Sequence, residues 1–316
     1  MHHYGRIRLL IIIWSFYLIK SKIKEFGADF SLLLVAICWG GTFFIVQDAI
    51  EDTPVYIFLF WRFLLATLFM MLISFKDYRK LDIQTIKAGV ILGIFMFLGF
   101  AFQTFGLTYT YSSTVAFITG LNVVIVPLAV FIFFKKKASI YSLFGAICAV
   151  AGLYFLTNNE TGSGFGYGEF YTLICAVMFA LQITFTDAYA KKHSAFLLVT
   201  VQFIVVTICS FFGAIVMDGT IEPKSFDGVF LEALIITVIF ATVFAFFTQT
   251  VMQKFTTPAK TAIIFTMEPV SAGVFGYYFA GESFYAIQLM GAALILFGML
   301  SAELGTYLRN KKLDNA

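Results

Sequence analysis

Glu268 stands about ten residues from either end of the apolar run 258–279, which as a helix would hold its carboxylate ~15 Å from water. A carboxylate at that depth is costly, so its presence marks Glu268 as a site for a substrate amine or an ion-coupling proton. The plainer alternative is a protonated acid hydrogen-bonded to a neighbouring helix. Pro269 follows directly, removes a backbone donor and crowds the Phe265 carbonyl, and a kink is expected beside the acid. Arg62 lies eight residues beyond Pro54, ~12 Å into the run 54–75. Arginines so placed snorkel or pair with a carbonyl or acid, and a substrate carboxylate is the other partner to consider. Gln103, Asn122, Gln182 and Gln249 are amides inside further apolar runs, able to bind a polar solute or to join helices. Thr242, Gln249, Gln253 and Thr256 recur at near-helical spacing, a polar stripe expected to face a cavity. Trp39 sits mid-run, away from the interfacial belt where tryptophan gathers, and reads as a cavity wall or a packing aromatic. Walls of Trp, Phe, Tyr, Gln and Thr with one acid suit a neutral or zwitterionic metabolite better than a polyanion.

What must position these residues is a membrane protein. Hydrophobic residues make up 60% of the 316 positions and charged residues 12%, with a mean hydropathy of +0.92. A water-soluble domain carries roughly a quarter of its residues charged, so that class is excluded. Runs of ~20 apolar residues fall at 31–50, 54–75, 86–107, 112–134, 139–157, 168–190, 195–217, 229–253, 258–279 and 284–307, giving an all-α chain of ten transmembrane helices. Before them, Leu9–Ile19 is a short apolar stretch flanked by Arg6, Arg8, Lys20, Lys22 and Lys24. A signal-peptide core is one reading; an interfacial helix on the inner leaflet is preferred, because no small-residue cleavage site follows.

Basic residues alternate with the spans. Those of residues 1–30, of the loops after spans 2, 4, 6 and 8, and of the C-terminal tail fall on one side, nineteen of 21 in all. The other side keeps Lys224 and carries Glu51, Asp52, Glu160, Asp218, Glu222, Asp227 and Glu282. The positive-inside rule then puts both termini in the cytoplasm, the protein being multi-pass in the plasma (inner) membrane.

The chain also repeats itself. At an offset of 146, Gln103-Thr104 falls on Gln249-Thr250, Asn122 on Glu268, and Gly145 and Gly152 on Gly291 and Gly298. At an offset of 140, Trp39 meets Phe179, Thr42 meets Gln182, and Arg62-Phe63 meets Gln202-Phe203. Five spans per unit is an odd number, so the second unit must enter the bilayer inverted, the arrangement secondary transporters use for alternating access. The expected organisation is a basic interfacial segment (1–30), two five-helix repeats (31–157 and 168–307) and a cytoplasmic tail (308–316).

The segments AICWGGTFF, PVYIFLFWRFLLA, GLTYTYSSTVAFITGLNVVIVPL, EPVSAGVFGYYFAGES and LMGAALILFGML resemble the paired EamA repeats of the drug/metabolite transporter superfamily, over Asp29 to Glu303. The resemblance implies ten helices, cytoplasmic termini and, usually, export of amino acids or related metabolites. One departure is Lys135-Lys136-Lys137 in place of the acidic turn that the second half keeps at Gly281-Glu282.

Other functions fit poorly. An enzyme needs a nucleophile with its base, or a metal, and the spans hold no histidine and few acids. Cys38, Cys148, Cys175 and Cys209 lie in apolar runs without CxxC spacing, so no cofactor or metal is expected. A net charge of +3 gives no reason to expect nucleic acid. The glycine-rich TGSGFGYG at 161–168 lacks the Lys-Ser/Thr ending of a phosphate loop and reads as a flexible link. A channel or a structural scaffold remains as the alternative. The expected partners are the lipid bilayer, a small-molecule substrate and protons.

Overall fold

The computed structural model describes residues 2–135, 139–157, 165–253, 255 and 258–314. Readings that fall on Lys136, Lys137, Lys254, Thr256, Glu160 and the link at 161–164 lie outside the described residues. Among those described there are helices and no strands. A helix satisfies its backbone within one segment, which hydrocarbon demands of any exposed chain.

The helices are α1 (His2–Asp52), α2 (Val55–Ile73), α3 (Ile83–Leu107), α4 (Ser112–Gly120), α5 (Asn122–Phe134), α6 (Ile140–Thr157), α7 (Tyr167–Ala190), α8 (Ala195–Gly213), α9 (Gly228–Ile236), α10 (Ala245–Met252), α11 (Pro258–Phe265), α12 (Met267–Phe279) and α13 (Ala286–Asp314). Two π-helical stretches join them, Ala214–Asp218 after α8 and Thr237–Phe244 between α9 and α10. Polar residues begin helices at the membrane faces. Asp82 accepts the Thr85 amide at 2.8 Å to open α3, and Asp227 accepts the Phe230 amide at 2.9 Å to open α9. The Thr85 side chain and amide hold the Asp82 carboxyl below the usual range, and the Phe230 amide does the same for Asp227.

Among the described residues, eight helical segments are long and apolar enough to cross a bilayer, from Phe26–Asp52 to Gly228–Met252. The remaining two expected spans take other forms. The run 258–279 is divided at Thr266 into α11 and α12, beside Pro269, whose missing N–H leaves the Phe265 carbonyl without its usual helical donor. The last expected span is a 29-residue helix, α13, with Ala286–Ala302 as its apolar part. Helix α1 also differs from expectation: the interfacial stretch and the first span form one uninterrupted helix from His2.

The packing partners come in matched sets. Helix α2 lies on α8 and α6 on α13; α3 lies on α7 as α10 and its π-helical stretch lie on α1; α4 and α5 lie on α7 as α11 and α12 lie on α1. Residues 140 apart touch one another at the α2–α8 contact. The Phe63 and Phe203 rings are 5.6 Å apart, and the Thr67 and Thr207 hydroxyls hydrogen-bond at 3.0 Å. At the α6–α13 crossing a Cβ on Gly145 would lie 2.5 Å from the Gly298 carbonyl oxygen, and one on Gly298 2.6 Å from that of Gly145. Gly152 and Gly291 repeat the arrangement at 2.7 and 2.6 Å. Only glycine permits backbones this close. The buried core clusters around Phe58, Phe63, Met96 and Phe203, where α2, α3 and α8 meet.

A candidate solute cavity between the halves

One cavity is lined by seven of the side chains that the sequence singled out for chemistry: Trp39, Arg62, Gln103, Asn122, Gln182, Gln249 and Glu268. Both sequence units contribute, and the lining residues pair at the two repeat offsets: Trp39 with Phe179, Thr42 with Gln182, Phe100 with Phe246, Gln103 with Gln249, and Asn122 with Glu268.

Broken helices bring the polar groups inward. Asn122 is the first residue of α5 and Glu268 the second of α12, so each begins a half-helix whose N-terminal amides favour an anion or a polar oxygen. The tight turns behind the breaks are alike, with the Leu121 amide donating to Ile118 O at 3.1 Å and the Thr266 amide to Ile263 O at 3.2 Å. Helix α1 presses against α12 at this level, because a Cβ on Gly40 would overlap the Glu268 carbonyl and the Ser271 hydroxyl.

Glu268 is 7% exposed, and among the described residues its carboxylate has no hydrogen-bond or ion-pair partner. The alternative of an acid bonded to a neighbouring helix therefore finds no bond here. Buried oxygens of Asn122 (Oδ1) and Gln249 (Oε1) are also without partners. Gln103 donates to Thr119 Oγ1 at 3.3 Å, and Gln182 to Gln202 Oε1 at 3.1 Å. Arg62 is 3% exposed; its Nε donates to Thr242 Oγ1 at 2.8 Å, and its guanidinium lies 4.6 Å from the Phe100 ring centroid. No carboxylate pairs with it among the described residues. Unsatisfied polar atoms are rare in buried sites unless a ligand or water completes them.

The walls are aromatic. Trp39 packs 5.3 Å from both Phe246 and Phe265, and Phe100 5.2 Å from Phe179 and 5.7 Å from Phe246. Trp39 Nε1 donates to Ala241 O at 2.9 Å, fixing the indole as a wall. Phe100, Phe246, Thr119 and Phe265 were not singled out from the sequence. The available signal was the repeat, since Phe100 and Phe246 are identical residues 146 apart. Of the expected polar stripe, Thr242 binds Arg62 and Gln249 faces the cavity, while Gln253 does not line it.

Hydrogen bonds also join the two units near both ends of the helices. On one side Asp77 accepts from Ser194 at 2.8 Å, Thr85 pairs with His193 at 2.8 Å, and Ser74 with Thr200 at 2.9 Å. On the other Glu282 accepts from the Ser112 hydroxyl at 2.6 Å, and Trp61 donates to Ile221 O at 2.8 Å.

A family model described as the EamA-like transporter family matches residues 26–158 and again 166–302. A protein of Archaeoglobus fulgidus named as an uncharacterized transporter is 31% identical over 282 residues, 89% of this chain and 87% of its own. A protein of Buchnera aphidicola named as an uncharacterized transporter in the trpA 3′ region is 25% identical over 278 residues, 85% of this chain and 89% of its own. One solved crystal structure shares the fold at a TM-score of 0.65 and 16% identity, over 88% of this chain and 96% of that one.

Proposed function

Because the chain belongs to the EamA-like transporter family, and is thus a multi-pass membrane transporter and not an enzyme, we propose that it is a secondary exporter of zwitterionic metabolites with apolar side chains. It works by alternating access between two inverted five-helix halves that together make ten spans, in the inner membrane with both termini cytoplasmic. The packing supports this reading. An in-plane two-fold axis requires equivalent residues to meet on the axis and off-axis contacts to occur in reciprocal pairs. Phe63 with Phe203 and Thr67 with Thr207 fit the first condition, and Gly145·Gly298 with Gly152·Gly291 the second.

The observation that carries the substrate class is a pair of departures from this symmetry. Arg62 corresponds to Gln202 and Glu268 to Asn122, so at two places one half has an amide where the other has a charge. One charge is positive and one negative, and both line the same aromatic cavity without a protein counter-ion among the described residues. A solute carrying a carboxylate and an ammonium would satisfy both, with Trp39, Phe100, Phe179 and Phe246 around its apolar part. Glu268 can instead hold a proton when the ammonium is absent, which couples transport to pH.

Counterflow in proteoliposomes against a panel of amino acids, amines and nucleosides tests the proposal. Exchange of apolar amino acids without ATP is expected. An ion current without exchange, or exchange confined to nucleosides, refutes it.

A further inference from the structure

The π-helical stretch Thr237–Phe244 occurs in one half only; residues 91–98, its counterparts at an offset of 146, continue as α-helix within α3. π-helical turns are uncommon and gather at functional sites. This one holds two cavity residues from the opposite half. Thr242 Oγ1 donates to Thr237 O, five residues back, at 2.7 Å, and accepts from Arg62 Nε at 2.8 Å. The neighbouring Ala241 O accepts from Trp39 Nε1 at 2.9 Å. Neither contact has a counterpart across the repeat. Arg62 corresponds to Gln202 and Thr242 to Met96, while Trp39 corresponds to Phe179, which has no donor. The wide turn is therefore present where two donors need an acceptor.

We infer that Thr242 is a positioning residue that gives the cavity its carboxylate selectivity by orienting Arg62. A guanidinium has five N–H donors. Thr242 occupies the one on Nε, and the hydroxyl is itself fixed as donor to Thr237 O, so its lone pair points at Arg62 without choice. Phe100 lies against the guanidinium at 4.6 Å. The remaining Nη donors, without partners among the described residues, are left as a planar fork that can take a carboxylate in two bonds. Without the Thr242 hydroxyl, Nε would seek a partner by rotating the fork away. The inference rests on reading this cavity as a zwitterion site.

Binding can be followed through Trp39 fluorescence in full-length protein carrying Trp14→Phe and Trp61→Phe, since the chain has three tryptophans and Trp39 lines the cavity. The probes are L-phenylalanine and phenethylamine, which share ring and amine and differ by the carboxylate. The protein should bind L-phenylalanine more tightly by roughly tenfold, Thr242→Val should erase that margin, and Thr242→Ser should keep it. Thr242→Ala gives the same readout if the valine variant does not fold, and an unchanged Trp39 emission maximum reports an intact wall. If Arg62→Gln erases the margin and Thr242→Val and Thr242→Ala do not, Thr242 has no positioning role, while the zwitterion reading survives. If the protein with Arg62 and Thr242 intact shows no margin, or neither probe perturbs Trp39, that reading falls and the role of Thr242 with it.

Discussion

Gly145→Ala should part α6 from α13. The new methyl would lie 2.5 Å from the Gly298 carbonyl oxygen and 2.7 Å from the Ala302 Cβ, where ordinary contact begins near 3.4 Å. The shortfall of about 0.9 Å must come from moving backbone, because the obstructing atom is a carbonyl, and overpacking of this kind costs about 1–3 kcal/mol. Gly298→Ala meets the Gly145 carbonyl at 2.6 Å and should cost about the same. One separation of the helices relieves both, so the double variant should lose clearly less than the sum. In detergent, melting followed by tryptophan fluorescence should fall by roughly 2–10 °C for either single change. Gly152→Ala and Gly291→Ala should reproduce the pattern at the other end of the crossing. Singles that melt with the parent, or equal costs that simply add, would refute the close reciprocal crossing on which the inverted repeat rests.

Glu268→Gln should lower exchange by roughly 100-fold or remove its pH dependence, because one side of a buried charge complement is lost; unchanged transport and pH profile, with insertion intact, would exclude the acid from coupling. Cysteines at positions 192 and 227 should react with an impermeant reagent from the cytoplasm and from outside respectively, and labelling of both from one face would overturn the topology. Cysteines at 103 and 249 should change labelling rate in opposite directions when substrate is added, as alternating access requires; rates that move together indicate a continuous pore. Asp77 is held below the usual carboxylate range by hydrogen bonds from Lys80 and then Ser194. Its stabilising effect is thus present above the unfolded value of about 4 and lost as pH falls through the lowered folded one. Asp77→Asn should therefore weaken the protein at pH 5 to 8, and the difference from the parent should shrink as pH falls below about 4 in an unfolding series.

Helical class, the repeat and seven side chains that line one cavity were legible in the sequence, because lipid leaves a chain few ways to satisfy its backbone and makes every buried polar group conspicuous. The break at Leu121 was not foreseen. No proline follows it as Pro269 follows Glu268, and only its correspondence with Thr266–Met267 could have given notice. Nor does hydropathy distinguish the π-helical stretch Thr237–Phe244, since one extra residue per turn barely alters which positions are apolar. The continuous α1 was missed for a related reason: Lys20, Lys22 and Lys24 end an apolar run but are good helix formers, so charge marks a membrane boundary there without marking a helix end.

In two halves of equal packing, inward-open and outward-open states would be equally stable, so the preference between them must come from what the halves do not share. On one side Ser74–Thr200, Asp77–Ser194 and Thr85–His193 join the units; on the other, Ser112–Glu282 and Trp61–Ile221 do so. Each such bond is worth about 1 kcal/mol net, so losing one shifts the balance of states roughly fivefold. A transporter needs a difference of that size, small enough for a bound solute to reverse. Arg62 lies in the first half and Glu268 in the second, and a zwitterion joining them is itself a bond between the halves. Its strength depends on how far apart the two charges are held, so under the proposed mechanism a change in that distance between states would give a solute differential affinity. In the proposed mechanism, the same two departures from symmetry that select the substrate also let the substrate move the protein.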